Sequence, residues 1–194
     1  MKINFGKKDG IYLVVIGLII LIALRVFNSD SGTHMMGDSS AEGMNNSQSA
    51  SDLEMNEYMF AEMMIPHHQQ AIEMSDLALQ NSEDSEVRAM AQQIKDAQAP
   101  EIEEMKTWGA SSNAHMGHMM DGMLSGEEME ALRSARGAEF DRLFLEGMIK
   151  HHEGAIDMAE MVVDSKNLDV SALAKAIIEA QRTEISTMKE LLRR

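Results

Sequence analysis

The chain has 194 residues, a formal net charge of −15 at pH 7 and no cysteine. So acidic a surface argues against nucleic acid as a partner, and the lack of cysteine excludes disulfides, zinc–thiolate sites and thiol nucleophiles. Methionine is unusually abundant, with 20 residues against 4% aromatic content, and its thioether is a soft metal ligand as well as a core side chain.

The N-terminal region predicts a membrane anchor. Residues 11–24 form an uncharged apolar run, IYLVVIGLIILIAL, which three lysines precede. A helix of about 17 residues is about 25 Å long and spans a bilayer if Arg25 reaches the interface. No small-residue cleavage site follows, so we expect residues 1–27 to be an uncleaved anchor in the cytoplasmic membrane rather than a cleaved signal peptide. The lysines predict a cytoplasmic N-terminus, with the remaining chain on the periplasmic or extracellular side.

Beyond the anchor the pattern is that of a tethered all-α domain. Residues 28–50 are rich in Ser, Gly, Asn and Asp and predict a flexible tether. Residues 51–194 predict four long helices and one short helix, with Ser125 and Glu128 as a capping box for the short one. The predicted helices cover about residues 52–80, 85–107, 125–136, 138–163 and 170–192. Arranged as two similar hairpins, they predict an antiparallel four-helix bundle with pseudo-twofold symmetry.

The two hairpins carry an internal repeat. The sequence FAEMMIPHHQQAIEM at residues 60–74 returns as FLEGMIKHHEGAIDM at residues 144–158. A second echo follows each copy, with AQAPEIEEMK at residues 97–106 and AQRTEISTMK at residues 180–189. Each copy therefore places Met-x-x-His-His in the first arm of a helical hairpin.

The paired histidines have a defined direction on their helices. At 100° per residue, His67 and His151 share the apolar face and should point into the bundle, whereas His68 and His152 should lie at the edge of that face. Met64 precedes His67 by three residues and His68 by four, which is close enough on a helix to share one ion.

Thioethers beside paired imidazoles, without any thiolate, favour Cu(I) or Ag(I), and Cu(II) could bind through histidine alone. Zinc would more often recruit Cys or carboxylate. The alternative interpretation is that the histidines are satisfied core residues and the methionines only pack. The candidate helical ligands are Met64, His67, His68, Met74, Met148, His151, His152 and Met158. Because imidazole binds metal only when neutral, we expect these sites to weaken as the pH falls through about 6.5.

A loop supplies a second group of candidate ligands. Residues 109–126 contain the segment HMGHMMDGM, in which His and Met dominate. Ordering several loop side chains costs entropy, so this segment should bind metal more weakly than the helical blocks. Compositional drift in a loop is the alternative explanation. The candidate loop ligands are His115, Met116, His118, Met119, Met120 and Met123.

The repeated motif also resembles a known family. F-x-x-x-M-I-x-H-H-x-x-A-I-x-M, followed by A-Q-x-x-E-I-x-x-M-K, is similar to the domain-of-unknown-function family 305 over about residues 52–192. The resemblance implies an exported, ferritin-like helical bundle that binds copper or silver in metal homeostasis or resistance. It places the metal ligands at Met64, His67, His68, Met148, His151 and His152. Gly147 stands where the first repeat has Met63, which predicts weaker binding in the second repeat.

Two other functions stay open beside a non-enzymatic metal-binding protein with a copper-transfer partner. One is a haem-binding or other redox four-helix bundle. A di-iron carboxylate site would need Glu-x-x-His pairs, which this sequence lacks, and it also lacks C-x-x-C-H for covalent haem, but non-covalent haem on His and Met remains possible. The other is a membrane-tethered interaction module in which the histidine pairs are structural.

Overall fold

The computed structural model describes residues 55–110 and 120–194, which belong to one compact unit. Within these residues the secondary structure is entirely helical, as predicted. The helices are α1 (Met55–Asn81), α2 (Ser85–Thr107), α3 (Gly126–Ser134), α4 (Gly137–Glu160) and α5 (Leu168–Leu191). Helices α1 and α2 each continue through the single proline that they contain.

The helix ends follow local capping chemistry. The Asp84 side chain accepts hydrogen bonds from two main-chain N–H groups in the first turn of α2, and Asn167 does the same for α5. Ser125 and Glu128 form the predicted capping box at the start of α3. Gly109, with φ of +84°, follows the end of α2 in a conformation that glycine adopts without strain.

The long helices form two hairpins that pack into one bundle. Helix α1 packs along α2, α4 packs along α5, and α1 and α4 pack against each other. The repeat accounts for this arrangement, because its apolar positions recur every three or four residues and bury one face of each helix. Phe60 and Met64 on α1 are fully buried, as are Phe144 and Met148 on α4. The two helices that carry the histidine pairs are therefore neighbours.

Several predicted features lie outside the described residues. These are the anchor at residues 1–27, the tether at residues 28–50 and the loop residues 111–119. Among the helices of the described part, none is long and apolar enough to cross a membrane.

Candidate metal centre

The two histidine pairs meet where α1 and α4 pack together. The ring centroids of His67 and His151 are 3.7 Å apart, with the ring planes tilted by 40°. The His151 and His152 centroids are 6.3 Å apart, and all four imidazoles, His68 included, are 0% exposed. The repeat thus gathers four histidines into one buried group, which we call the histidine cluster.

Carboxyl groups from the neighbouring helices pair with two of these rings. His68 Nε2 lies 2.7 Å from Glu101 Oε2 on α2, and His152 Nε2 lies 2.7 Å from Glu184 Oε2 on α5. Helical periodicity predicts that His68 and His152 lie at the edge of the apolar face, and the structure shows in addition that both are fully buried. The reason is tertiary, because each ring points towards a helix that supplies a polar partner.

Sequence reasoning missed these two glutamates, although a signal was present. Glu101 and Glu184 occupy the same position in the second echo, A-Q-x-x-E-I, and both are at least nine-tenths buried. Gln98 and Gln181 recur in the same way and are also buried. Acidic side chains are rarely buried unless they are paired. Glutamates repeated among apolar helix positions could therefore have been assigned as partners of the repeated histidines.

Burial sets the protonation of the cluster. It lowers the pKa of His67 to about 3, helped by the neighbouring His68, and lowers the pKa of His68 to about 3, helped by His152. Burial also holds the pKa of His151 well below its ordinary value. These three rings are neutral at pH 7. At these rings we therefore expect protons to compete with metal only well below the pH of about 6.5 that an ordinary imidazole predicts.

The pKa of the neighbouring carboxyl group, Glu101, shifts in the opposite direction. Burial and the negative charge of the nearby Glu184 raise the pKa of Glu101 to about 8. At pH 7 Glu101 is therefore mostly protonated, and it shares a short hydrogen bond with a neutral imidazole, His68. A cation that arrived near this pair would favour the ionised carboxylate and expel its proton.

The imidazoles keep nitrogen atoms free for a ligand. Among the described residues, Nδ1 of His67, His68 and His152 and both ring nitrogens of His151 lack a hydrogen-bond partner. The Nε2 atom of His67 lies 3.3 Å from the main-chain oxygen of Asp121. A ring that donates Nε2–H to an oxygen presents its lone pair on Nδ1, which is the arrangement of metal-binding histidines. These donors therefore fit a metal ion.

The candidate methionines fall into two groups. All four helical ones, Met64, Met74, Met148 and Met158, are buried in the core. Of the loop candidates, the described Met120 and Met123 are half-buried, whereas His115, Met116, His118 and Met119 lie outside the described residues. In the part that the structure describes, no three His, Cys, Asp or Glu residues are grouped to hold one metal ion. An ion in the histidine cluster would therefore need thioether sulfur as well as nitrogen.

Comparison with known proteins gives a consistent set of relatives. The family model described as "Domain of unknown function (DUF305)" matches residues 57–192. The crystal structure of a DUF305 fragment from Deinococcus radiodurans is 32% identical, with 72% of this chain and 96% of that chain covered and a TM-score of 0.64. A putative secreted DUF305 protein from Streptomyces coelicolor is also 32% identical, over 71% of this chain and 91% of that chain, with a TM-score of 0.64.

A third relative is CopM, whose solved structures include metal-bound forms. Its Cu(II)-bound form is 36% identical, with 71% of this chain and 95% of that chain covered and a TM-score of 0.61. Its Cu(I)-bound and Ag-bound forms match at 34% and 33% identity over the same shares of both chains, with TM-scores of 0.59 and 0.56. A search of curated proteins found no match. Both Met-x-x-His-His blocks, and both glutamates that pair with them, lie inside the matched residues 57–192, and the chain therefore belongs to the DUF305 family.

Proposed function

We propose that this protein binds Cu(I) or Ag(I), and also Cu(II), at the histidine cluster. The observation that carries the proposal is a group of four buried imidazoles whose Nδ1 atoms have no partner among the described residues. Leaving a buried nitrogen unpaired is costly, so such atoms call for a functional explanation. Bound metal supplies one.

The donor set decides which metal is favoured. Neutral imidazole and thioether without thiolate form a soft to intermediate set, which favours Cu(I) and Ag(I) over Zn(II). Met64 and Met148 are the thioethers three residues before His67 and His151 on the same helices, and they are our choice of sulfur ligands. That CopM, a relative at 33–36% identity, has been crystallised with copper and silver supports this choice.

The glutamates complete the site without binding the metal. An ion on Nδ1 of His68 would keep the ring proton on Nε2, and Nε2–H would donate a hydrogen bond to the ionised carboxylate of Glu101, which would balance the added charge. Glu184 Oε2, 2.7 Å from His152 Nε2, is placed to accept Nε2–H of that ring. The protein therefore exchanges a proton for the cation, and the buried cluster does not accumulate positive charge.

We further propose that the bundle is an antiparallel, ferritin-like four-helix bundle tethered to the outer side of the cytoplasmic membrane by residues 1–27, and that it serves metal homeostasis or resistance without enzymatic activity. The acidic surface, with a net charge of −15 for the whole chain, would attract cations. The residues 115–123 would add weaker sites, and a copper-transfer partner would receive the ion. Deleting residues 1–27 should release the protein from membranes.

A competition titration tests the proposal. The parent protein and a variant with His67, His68, His151 and His152 all changed to Ala are titrated with Cu(I), Ag(I), Cu(II) and Zn(II) against chelators of known affinity. We expect the parent to prefer Cu(I) and Ag(I), and the variant to lose the tight class of sites. Changing only His115, Met116, His118 and Met119 should leave that class intact. A quadruple variant that binds as tightly as the parent at pH 7 would show that the histidines are structural.

A further inference from the structure

A short described segment crosses the histidine cluster from α1 to α4. It comprises residues 120–124, and we call it the strap. A hydrogen bond from Met123 N to Met120 O, 3.1 Å long, closes a tight turn. The third residue of this turn, Gly122, has φ of +83°, as in type II turns. The main-chain carbonyl of Asp121 lies at the middle of the turn and faces His67 Nε2 at 3.3 Å.

Helix α1 holds the strap by two hydrogen bonds from one side chain. Gln70 Oε1 accepts from Leu124 N at 2.7 Å, and Gln70 Nε2 donates to Leu124 O at 3.0 Å. Gln70 lies three residues after His67, so the side chain that holds the strap and the imidazole beneath it are on the same stretch of helix.

Helix α4 holds the strap by direct backbone contact. A Cβ atom on Gly154 would lie 2.2 Å from the carbonyl oxygen of Asp121, and one on Gly122 would lie 2.7 Å from the carbonyl oxygen of Lys150. Both distances are impossible for a real side chain, and the atoms that would have to move are backbone. The contact therefore requires glycine in the strap and glycine in the helix.

The strap also explains two differences between the copies of the repeat. Gly154 stands where the first copy has Gln70, and Gly147 stands where the first copy has Met63. A Cβ on Gly147 would lie 3.2 Å from a methyl group of Leu124. The second copy thus has glycine where the strap lies against it, at Gly147 and Gly154. The first copy has Gln70, which holds the strap by hydrogen bonds. Gly147 makes room for the strap, which is a reason for its presence other than weaker metal binding.

We propose that the strap is a positioning element of the metal centre, in which the Asp121 carbonyl accepts Nε2–H of His67 and keeps the free lone pair on Nδ1. A carbonyl oxygen can only accept, so a neutral ring bonded to it must carry its proton on Nε2. Neither ring nitrogen of His151, the equivalent residue of the second copy, has a hydrogen-bond partner in the strap, and the backbone group that acts on its pKa belongs to His67. The strap thus preorganises the first repeat for metal, and no hydrogen bond from the strap does so for His151. This inference rests on the proposed metal binding.

The test releases the strap without substituting a candidate ligand. Gly154→Ala introduces the Cβ that collides with Asp121, although alanine is the better helix former and should otherwise favour α4. Long-range ¹H–¹⁵N NMR of the full-length chain without metal reads the tautomer of His67. We expect one Nε2–H tautomer in the parent and a mixture in the variant. Affinity for Ag(I) and Cu(I), measured by chelator competition, should fall about tenfold.

Two further variants make the test decisive. Gly126→Ala is the matched control, because its Cβ meets no atom within 4 Å, and it should behave as the parent. Gln70→Ala removes both hydrogen bonds to Leu124 without a clash, so it answers the question even if Gly154→Ala does not fold. Gln70→Glu keeps one of the two bonds and should give a smaller effect.

Different results would refute the role of the strap and the proposed metal binding. A single Nε2–H tautomer at His67 that persists in both Gly154→Ala and Gln70→Ala would overturn the role of the strap, even if the parent binds metal well. So would an affinity that stays within about twofold of the parent. Conversely, a parent that binds neither Ag(I) nor Cu(I) would refute the proposed function, whereas the tautomer would still be read in the metal-free protein.

Discussion

The imidazole rings of His67 and His151 pack against each other with their centroids 3.7 Å apart, and through them the two copies of the repeat touch. An ion held in the plane of both rings, at about 2 Å from each nitrogen, would keep the centroids about 4.5 Å apart or more. In their present positions these two rings therefore cannot share one ion. Either each repeat binds its own ion or the rings must separate.

We predict that each repeat binds one ion and that the second ion to bind does so more weakly than the first. Two cations held in neighbouring buried sites repel each other, and this repulsion is poorly screened there. Stepwise Ag(I) titration followed by native mass spectrometry should give two steps whose affinities differ at least about tenfold. His151→Asn should remove one step. Saturation by a single ion with both repeats intact would contradict this prediction.

Glu101→Gln should uncouple metal binding from proton release. The burial-raised pKa of Glu101, about 8, leaves the carboxyl mostly protonated at pH 7, so a bound cation expels its proton. Calorimetric titration with Ag(I) in buffers of different ionisation enthalpy measures that release. The parent should release protons and bind more tightly as the pH rises towards 8, whereas Glu101→Gln should lose most of this release and about tenfold in affinity.

Glu103→Gln is the matched control for that substitution, because Glu103 lies on the same helix but is exposed and pairs with Lys106 at the surface. It should release protons as the parent does. Equal proton release by Glu101→Gln and the parent would show that Glu101 does not balance the charge of the ion.

The metal-free protein should lose stability in acid because of its buried histidines. The folded pKa values of His67 and His68, about 3, lie below the ordinary 6.5. The unfolded chain therefore binds more protons, and this stability is present above pH 6.5 and lost as the pH falls towards 3. The pKa of Glu101 is raised from its ordinary 4.5 to about 8, so this carboxyl group stabilises the fold as the pH falls through that range. It is one group, whereas several histidines act in the other direction.

Denaturant unfolding at pH 7, 5 and 4 checks the acid effect. The free energy of unfolding should fall over this series, and the fall should be smaller in His67→Asn, which lacks one of the buried imidazoles. A free energy of unfolding that is constant from pH 7 to pH 4 would contradict the burial of neutral histidine.

Met64→Leu should separate sulfur chemistry from packing. The two side chains have similar volumes, so the substitution should change the free energy of unfolding by less than about 1.5 kcal/mol. If Met64 is a ligand, affinity for Cu(I) and Ag(I) should fall whereas histidine-dependent Cu(II) binding should change little. Met105→Leu is the matched control, because Met105 is equally buried on α2 but is not a candidate ligand. Identical metal affinities in the two variants would exclude Met64 as a ligand.

The helices and the candidate histidines could be identified from the sequence because both follow from short-range patterns. Apolar residues at helical spacing, together with caps such as Ser125 and Glu128, set the helix ends to within a few residues. The exact recurrence of Met-x-x-His-His identified the histidines and the family. The recurrence of Glu101 and Glu184 was equally visible, but it gains meaning only when a partner is known.

What the tertiary structure decided is how distant residues meet. His67 and His151 are 84 positions apart in the sequence, and only the packing of α1 against α4 brings their rings into contact. The burial of His68 depends on a carboxyl group from α2, and the strap depends on two glycines from different segments. Helical periodicity fixes the direction of a side chain on its own helix. Which atoms it meets depends on how helices pack and where the connecting chain runs, and these are set by side chains far apart in the sequence.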